Sequence, residues 1–181
     1  MPVFEWHHEP PHWHDGGNRL SVTTAPGSDF WRVTHYGFIR DNGHFFHRTM
    51  RGHFVAEVRV IGRYAALYDQ AGLMLRVDER TWLKCGLEYV EGVQNLSAVV
   101  TRDFSDWSVL PLSDPPAAFR IKVERRGATV EVQYALGDSD YQMLRLAYLS
   151  DVPEMQVGPM CASPEGPGFE VVFEDLSLRS L

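Results

Sequence analysis

Apolar and polar residues alternate with a period of two along almost the whole chain, and turn-forming residues separate the alternating runs. The apolar spacing i, i+3, i+4, i+7, which is typical of an amphipathic helix, does not recur convincingly in any window. The pattern predicts an all-β protein of about ten to thirteen short strands. That many strands in a chain of this length favours two antiparallel sheets packed face to face over a small barrel.

Turn-forming residues mark where these strands should end. We predict tight turns at residues 41–43, 78–81, 127–128 and 137–140, where Gly, Asp, Asn or Ser residues occur. These residue types tolerate the backbone angles that tight turns require. Residues 111–119 contain three prolines, which cannot sit in a central strand, so we expect a loop there.

The predicted hairpin of residues 72–90 has two chemically different faces. In its second strand one face is apolar and is expected to point to the core: Leu83, Cys85, Leu87 and Tyr89. The opposite face combines an aromatic ring, a cation, a bare backbone position and a carboxylate: Trp82, Lys84, Gly86 and Glu88. The neighbouring strands add polar residues to the same outer surface, among them Arg76, Asn95, Ser97 and Thr101.

This outer face has the residue types of a sugar-binding surface. Trp82 is predicted to be an exposed stacking platform beside the donor Lys84, and Gly86 would let a ligand approach the backbone. Lys84 and Glu88 lie about 13 Å apart along a strand, so each needs a partner on a neighbouring strand, such as Arg76 or Thr101. The competing interpretation is an ordinary solvated outer face, on which Lys and Glu are common.

Composition narrows the classes of function. With 181 residues and 44% hydrophobic content, the chain is predicted to form one domain over residues 1–181. A net charge of -7 disfavours nucleic acid as a partner. Neither a secretory signal nor a long apolar segment occurs in the sequence, so we expect a cytoplasmic protein without membrane contact. Cys85 and Cys161 are expected to be reduced core thiols.

All eight histidines fall within the first 53 residues, which invites a metal interpretation. His44 and His47 would point to opposite faces of a strand, and no zinc signature occurs, so we predict no metal site. The sequence also lacks a P-loop, a G-x-G-x-x-G motif and a Ser-His-Asp order. Trp31 belongs to an aromatic segment that is expected to serve core and rim packing.

Residues 68–108, YDQAGLMLRVDERTWLKCGLEYVEGVQNLSAVVTRDFSDWS, resemble the core signature of the DUF1349 family, also called the regulation of enolase protein 1 family. The resemblance extends to residues 9–13, 29–46 and 157–175, and therefore covers nearly the whole chain. It implies a concanavalin A-like jelly-roll sandwich with a ligand groove on its concave sheet. The family pattern falls here on Asp69, Gln70, Trp82, Lys84, Glu88, Thr101, Ser105, Asp106 and Trp107.

The jelly-roll fold that the resemblance implies suggests two further properties, glycoside hydrolysis and calcium binding. A glycosidase needs two carboxyl groups, and Glu88 is the first candidate, with Asp69, Asp78 or Asp106 as the second. The E-x-D-x-E pattern of known hydrolases on this fold does not occur on the predicted groove strands. By fold analogy a structural calcium ion could use Asp175, although one acid cannot define such a site.

Three functional hypotheses remain open at this point. The first is a carbohydrate-binding domain that requires no cofactor. The second is a glycoside hydrolase that uses Glu88. The third is a regulatory domain that binds a protein partner and thereby acts on carbohydrate metabolism. Trp107 fits either a second stacking wall or a loop anchor. The predicted ligand-binding residues are Asp69, Gln70, Arg76, Trp82, Lys84, Glu88, Thr101, Asp106 and Trp107.

Overall fold

The alternating runs form β-strands in a computed structural model that describes residues 3–181. The described residues contain sixteen strands and no helix, more strands than the sequence predicted. Two of the additional strands lie in the Pro/His-rich start, where prolines obscure the alternation. The strands are β1 (Glu5–His7), β2 (His12–Asp15), β3 (Arg19–Thr23), β4 (Phe30–Arg32), β5 (Ile39–Asp41), β6 (His44–Arg51), β7 (Phe54–Gly62), β8 (Gln70–Asp78), β9 (Thr81–Val90), β10 (Val93–Arg102), β11 (Phe104–Pro111), β12 (Phe119–Arg126), β13 (Thr129–Leu136), β14 (Gln142–Tyr148), β15 (Glu154–Ala162) and β16 (Glu170–Ser180).

Two seven-stranded antiparallel sheets make up most of the structure. The first sheet has the order β1-β6-β15-β8-β9-β10-β11, and the second has the order β14-β13-β12-β7-β16-β3-β2. Strands β4 and β5 form a separate two-stranded hairpin. The predicted all-β sandwich of two antiparallel sheets is therefore confirmed.

The main core lies between the two sheets. Leu83, Cys85 and Leu87 of β9 are buried there, as the alternation predicted. They share one apolar cluster with residues such as Val58 and Ile121 of the second sheet. Burial of apolar surface between the sheets is the main stabilising contribution in a fold of this kind. Cys85 and Cys161 are both free and buried, which confirms the prediction of core thiols.

A pair of glycines lets β8 and β9 approach each other closely. Gly72 lies directly opposite Gly86 in the ladder. A Cβ atom on Gly86 would lie 2.1 Å from the carbonyl oxygen of Ala71, and one on Gly72 would lie 1.9 Å from the oxygen of Cys85. The sequence suggested that Gly86 leaves space for a ligand, but the neighbouring strand occupies that space.

The outer face of the first sheet is largely covered, which corrects the prediction of an open surface. The β4–β5 hairpin lies on this face and buries Phe30 and Trp31 against it. Trp82 is only 1% exposed and belongs to this second apolar cluster. Trp82 is therefore not a stacking platform for a ligand. The other members of the cluster are Phe45, Met74, Val99 and Met160, with Phe38 and Trp107 packed against them.

Most predicted turns separate the strands as expected. Residues 79–80 join β8 to β9, residues 127–128 join β12 to β13, and residues 42–43 join β5 to β6. The proline-containing segment 112–118 connects β11 to β12 without strand structure. Local turn chemistry therefore predicted the connections correctly, whereas the position of the β4–β5 hairpin depends on long-range packing.

Candidate functional site

A pocket remains open beside the β4–β5 hairpin, on the outer face of the first sheet, with about 450 Å³ of empty space that includes open solvent at its mouth. Its buried polar residues come from β8, β9 and the segment before β4: Gln70, Lys84, Glu88 and Asp29. Its aromatic residues are Trp31, Tyr36, Phe38, Tyr68 and Trp107. Arg40 and the exposed Glu165 also line it. Four predicted site residues therefore share one pocket: Gln70, Lys84, Glu88 and Trp107.

Glu88 presents one carboxylate oxygen to this pocket. Its Oε2 accepts hydrogen bonds from Ser97 Oγ at 2.8 Å and from Trp107 Nε1 at 2.9 Å. No donor among the described residues bonds Oε1. Burial raises the pKa of Glu88, and the nearby charge of Lys84 and these two hydrogen bonds oppose that rise only in part. Glu88 can therefore act as an acceptor for a ligand or, when protonated, as a donor.

Lys84 is engaged in internal contacts. Its Nζ donates to the backbone oxygen of Phe30 and to Gln70 Oε1, each at 2.6 Å, and it lies 3.5 Å from Asp29 Oδ1. Two of these contacts are hydrogen bonds, and the contact with Asp29 is a longer ion pair. Lys84 thus holds the start of the β4–β5 hairpin against the sheet, a structural role that the sequence did not suggest.

Gln70 is the second polar residue with capacity left for a ligand. Its Oε1 accepts from Lys84 at 2.6 Å, and its Nε2 donates to the backbone oxygen of Tyr68 at 3.0 Å. An amide nitrogen carries two hydrogens, so one donor of Gln70 is not used by these bonds.

Several other predicted ligand-binding residues stabilise the fold instead. Arg76 forms a bidentate ion pair with Asp41, with nitrogen–oxygen distances of 2.7 and 2.9 Å, and so fastens β5 to the sheet. The hydroxyl groups of Thr101 and Ser105 lie 2.8 Å apart, and Thr101 is fully buried. Neither Arg76 nor Thr101 lines the pocket, because their part of the sheet lies under the hairpin.

Asp69 and Asp106 also lie outside the pocket. Asp69 is 1% exposed, and its Oδ2 accepts from the backbone amides of residues 65 and 66. Its Oδ1 accepts from Ser163 Oγ at 2.7 Å, so this carboxylate organises the loop before β8. The exposed Asp106 lies 3.6 Å from Arg145. The prediction that either residue contacts the ligand is therefore not supported by the geometry of this pocket.

Four aromatic rings form what we call the aromatic box: Trp31, Tyr36, Tyr68 and Trp107. Their ring centroids are separated by 5.6 Å from Trp31 to Tyr36, 6.4 Å from Tyr36 to Tyr68, 6.3 Å from Tyr68 to Trp107, and 6.3 Å from Trp107 back to Trp31. The angles between successive ring planes are 76–89°. The hydroxyl groups of Tyr36 and Tyr68 lie 2.8 Å apart.

The turn between β4 and β5 brings Tyr36 into this box. Gly37 N donates to Val33 O, and Val33 N donates to Phe38 O, each at 2.7 Å, so the turn is closed by two backbone bonds. Sequence reasoning assigned Trp31 to packing and did not single out Tyr36 or Tyr68. The many aromatic residues of segment 29–46 were an indication in the sequence that this segment could supply pocket walls. The folded hairpin is what places them beside β11.

The histidine-rich start does not assemble a metal site in the described structure. Among residues 3–181, no group of three or more His, Cys, Asp or Glu residues is arranged to hold a metal ion. His44 instead links two loops, since its Nε2 accepts from Ala25 N at 2.9 Å and its Nδ1 donates to His8 O at 2.8 Å. Asp175 accepts a hydrogen bond from Asn18 Nδ2 at 2.8 Å.

The two packed antiparallel sheets form a jelly-roll domain. A solved structure with a similar fold supports this fold class. A carbohydrate-binding module, CBM66 from Bacillus subtilis, has a TM-score of 0.60 at 12% sequence identity, and the alignment covers 99% of this chain and 97% of that chain. A likeness at this level of identity concerns the fold alone.

The chain belongs to the DUF1349 family, described as proteins of unknown function, whose model matches residues 6–181. It is 36% identical over 175 residues to Regulation of enolase protein 1 of Saccharomyces cerevisiae, covering 97% of this chain and 88% of that protein. A crystal structure of a functionally unknown protein from Saccharomyces cerevisiae has a TM-score of 0.94 at 35% identity, covering 98% of this chain and 96% of that chain. The family resemblance seen in the sequence is thereby confirmed.

Proposed function

We propose that this protein binds a carbohydrate, with one sugar residue seated in the pocket beside the β4–β5 hairpin. The observation that carries the proposal is the free Oε1 of Glu88 inside a pocket walled by aromatic rings. Sugars combine C–H faces that pack on aromatic rings with hydroxyl groups that need donors and acceptors. Glu88 Oε1 supplies an acceptor, and the unused hydrogen of Gln70 Nε2 supplies a donor.

The pocket favours a single terminal residue over a chain that runs along the sheet. The β4–β5 hairpin covers the outer face next to the pocket, where Trp82 and Met74 are fully buried. A polysaccharide laid across the strands would therefore require the hairpin to leave the sheet. The likeness to CBM66 supports the proposal at the level of fold.

Calorimetric titration with a panel of monosaccharides and short oligosaccharides tests this function. We expect at least one sugar to bind and Tyr36→Leu to weaken its binding by roughly threefold to tenfold, because the substitution removes one aromatic wall. Tyr148→Leu is the matched control, since Tyr148 is exposed on β14 and does not line the pocket. Absence of binding to any sugar, or wild-type affinity in Tyr36→Leu, would contradict the proposal.

Glycoside hydrolysis by Glu88 is the second candidate function. The raised pKa of Glu88 favours it, because a general acid must keep its proton near neutral pH. Asp29 lies in the same pocket, but its Oδ1 accepts from Phe30 N at 2.8 Å and lies 3.5 Å from Lys84. Asp29 is therefore held in structural contacts that a second catalytic carboxylate would have to leave.

Turnover of aryl glycosides separates hydrolysis from binding alone. If Glu88 is catalytic, Glu88→Gln abolishes turnover while a sugar still binds in the calorimeter. If the wild-type protein binds an aryl glycoside but does not release the aryl group, the protein does not hydrolyse that substrate. The proposed binding function would then stand.

An open cleft next to the pocket favours a third candidate, a protein-binding role. Strands β11 and β14 border this cleft, and Phe104, Leu146 and Tyr148 expose more than half of their surface in it. The name of the yeast relative, Regulation of enolase protein 1, is consistent with such a role. A defined partner recovered by pull-down and lost in Phe104→Asp would support it, whereas recovery unaffected by that substitution would contradict it.

A further inference from the structure

The aromatic box has the dimensions of a site for an organic cation. Its four centroids form a closed ring with sides of 5.6–6.4 Å. A cation seated between two neighbouring rings at these separations can lie within the roughly 6 Å of both centroids over which a ring face attracts it. All four rings line the same pocket. A group seated there would therefore contact more than one aromatic ring at once.

The charges around the pocket favour the same kind of ligand. Three acidic residues and two basic residues line it. The two basic groups are already engaged: Lys84 lies 3.5 Å from Asp29, and Arg40 lies 3.5 Å from Glu165. Glu88 forms no ion pair with a described residue, and its Oε2 is bonded to Trp107, a member of the box. The acidic group without an ionic partner thus lies directly beside the rings.

We propose that the pocket recognises a ligand through a positively charged ammonium group held in the aromatic box beside Glu88. The inference concerns the same pocket as the proposed function and rests on that pocket being the ligand site; for an amino sugar it deepens the proposed carbohydrate binding. The ammonium could belong to an amino sugar, whose N–H groups would donate to Glu88 Oε1. It could also belong to a methylated compound such as choline, which relies on the ring faces because it has no N–H donor.

Two matched pairs of small molecules test the inference by calorimetry. The first pair is choline and its uncharged isostere 3,3-dimethylbutan-1-ol, and the second is glucosamine and glucose. We expect the charged member of at least one pair to bind about tenfold more tightly than the neutral member. Tighter choline would identify a methylated ammonium ligand, and tighter glucosamine would identify an amino sugar.

The outcomes separate failure of this inference from failure of the proposed function. Equal affinity within both pairs, with measurable binding of the sugars, would overturn the ammonium site and leave carbohydrate binding intact. Binding of choline without binding of any sugar would support the box and overturn the carbohydrate proposal. No binding of any of the four compounds would overturn the ammonium site.

Two substitutions at Tyr36 show whether the ring itself holds the cation. Tyr36→Phe keeps an aromatic face, and Tyr36→Leu removes it, while the 40% exposure of Tyr36 makes both changes tolerable for folding. We expect Tyr36→Phe to bind within about threefold of wild type and Tyr36→Leu to bind about tenfold more weakly. Equal losses in the two variants would contradict a cation–π contact, and circular dichroism verifies that both are folded.

The pH dependence of binding gives a second readout at Glu88. Because a cation favours the ionised carboxylate, affinity should fall as the pH decreases through the raised pKa of Glu88. Glu88→Gln should bind about tenfold more weakly and lose this dependence. An unchanged pH profile in Glu88→Gln would contradict the inference. The other titratable groups that face Glu88 or line its pocket are Lys84, Asp29, Tyr36, Tyr68, Arg40 and Glu165.

Discussion

Lys84 shows how a polar residue on a strand can serve the fold while it lies in a binding pocket. Its side chain is only 5% exposed, and it joins β9 to Asp29 just before β4, to Phe30 at the start of β4 and to Gln70 of β8. A buried ammonium group is tolerated only when such partners replace its water. The position of the β4–β5 hairpin, which brings Trp31 and Tyr36 into the aromatic box, therefore depends on Lys84.

Lys84→Met should destabilise the protein strongly, because it leaves the carboxylate of Asp29 and the oxygen of Gln70 without their buried partner. Loss of one member of a buried charged pair typically costs about 3–5 kcal/mol of unfolding free energy. Urea unfolding measures the change. Lys122→Met is the matched control, since Lys122 is the other lysine of the chain and is half-buried over Tyr141. Equal losses in the two variants would contradict the structural role of Lys84.

At the scale of elements, the β4–β5 hairpin determines what the outer face of the first sheet can do. The hairpin buries Trp82 and Met74 and leaves the end near Glu88 open. The period-two pattern distinguished the two faces of β9 correctly: Leu83, Cys85 and Leu87 of its inward set are buried in the core, whereas Tyr89, near the end of the strand, is only half-buried. The pattern could not show that residues 30–41 fold over the opposite face, because that contact joins segments far apart in sequence.

Gly86→Ala should disrupt the pairing of β8 with β9. The added Cβ would lie 2.1 Å from the oxygen of Ala71, a backbone atom that cannot move without shifting the strand. We expect a loss of more than about 3 kcal/mol in unfolding free energy, or failure to fold. Gly16→Ala is the control, because its nearest atom would lie at 3.4 Å. Wild-type stability of Gly86→Ala would contradict the close approach of these strands.

At the scale of the whole molecule, the fold was predictable and the site was predictable only in part. Alternation and turn residues gave the two-sheet sandwich, and the family signature placed Gln70, Lys84, Glu88 and Trp107 in one region. The signature also included Asp69 and Thr101, whose buried contacts stabilise the fold. Sequence patterns do not distinguish polar residues that bind a ligand from polar residues that bind the chain itself.

Global stability should decrease in mild acid because buried histidines favour their neutral form. Burial lowers the pKa of His7, His44 and His47 below 6.5. The unfolded chain then binds more protons than the folded chain, so the contribution is complete above about pH 6.5 and is lost as the pH falls below it. Urea midpoints at pH 7.5 and 5.0 measure the loss.

His44→Gln provides the control for this pH effect. Glutamine can also accept one hydrogen bond and donate another, but it does not titrate, so the variant should lose less stability between the two pH values. The raised pKa of Glu88 contributes in the opposite direction, so the comparison of the variant with the wild type is the readout. An equal change of the urea midpoint in His44→Gln and in the wild type would contradict the role of His44.

A crystal structure of the protein with the tightest ligand found by calorimetry tests the pocket most directly. We predict ligand density between the rings of Trp31, Tyr36 and Trp107, with a polar ligand atom within hydrogen-bond distance of Glu88 Oε1. The β4–β5 hairpin should stay on the sheet, with Trp82 still buried. A ligand bound in the β11–β14 cleft or on the second sheet, with this pocket empty, would contradict the assignment of the site.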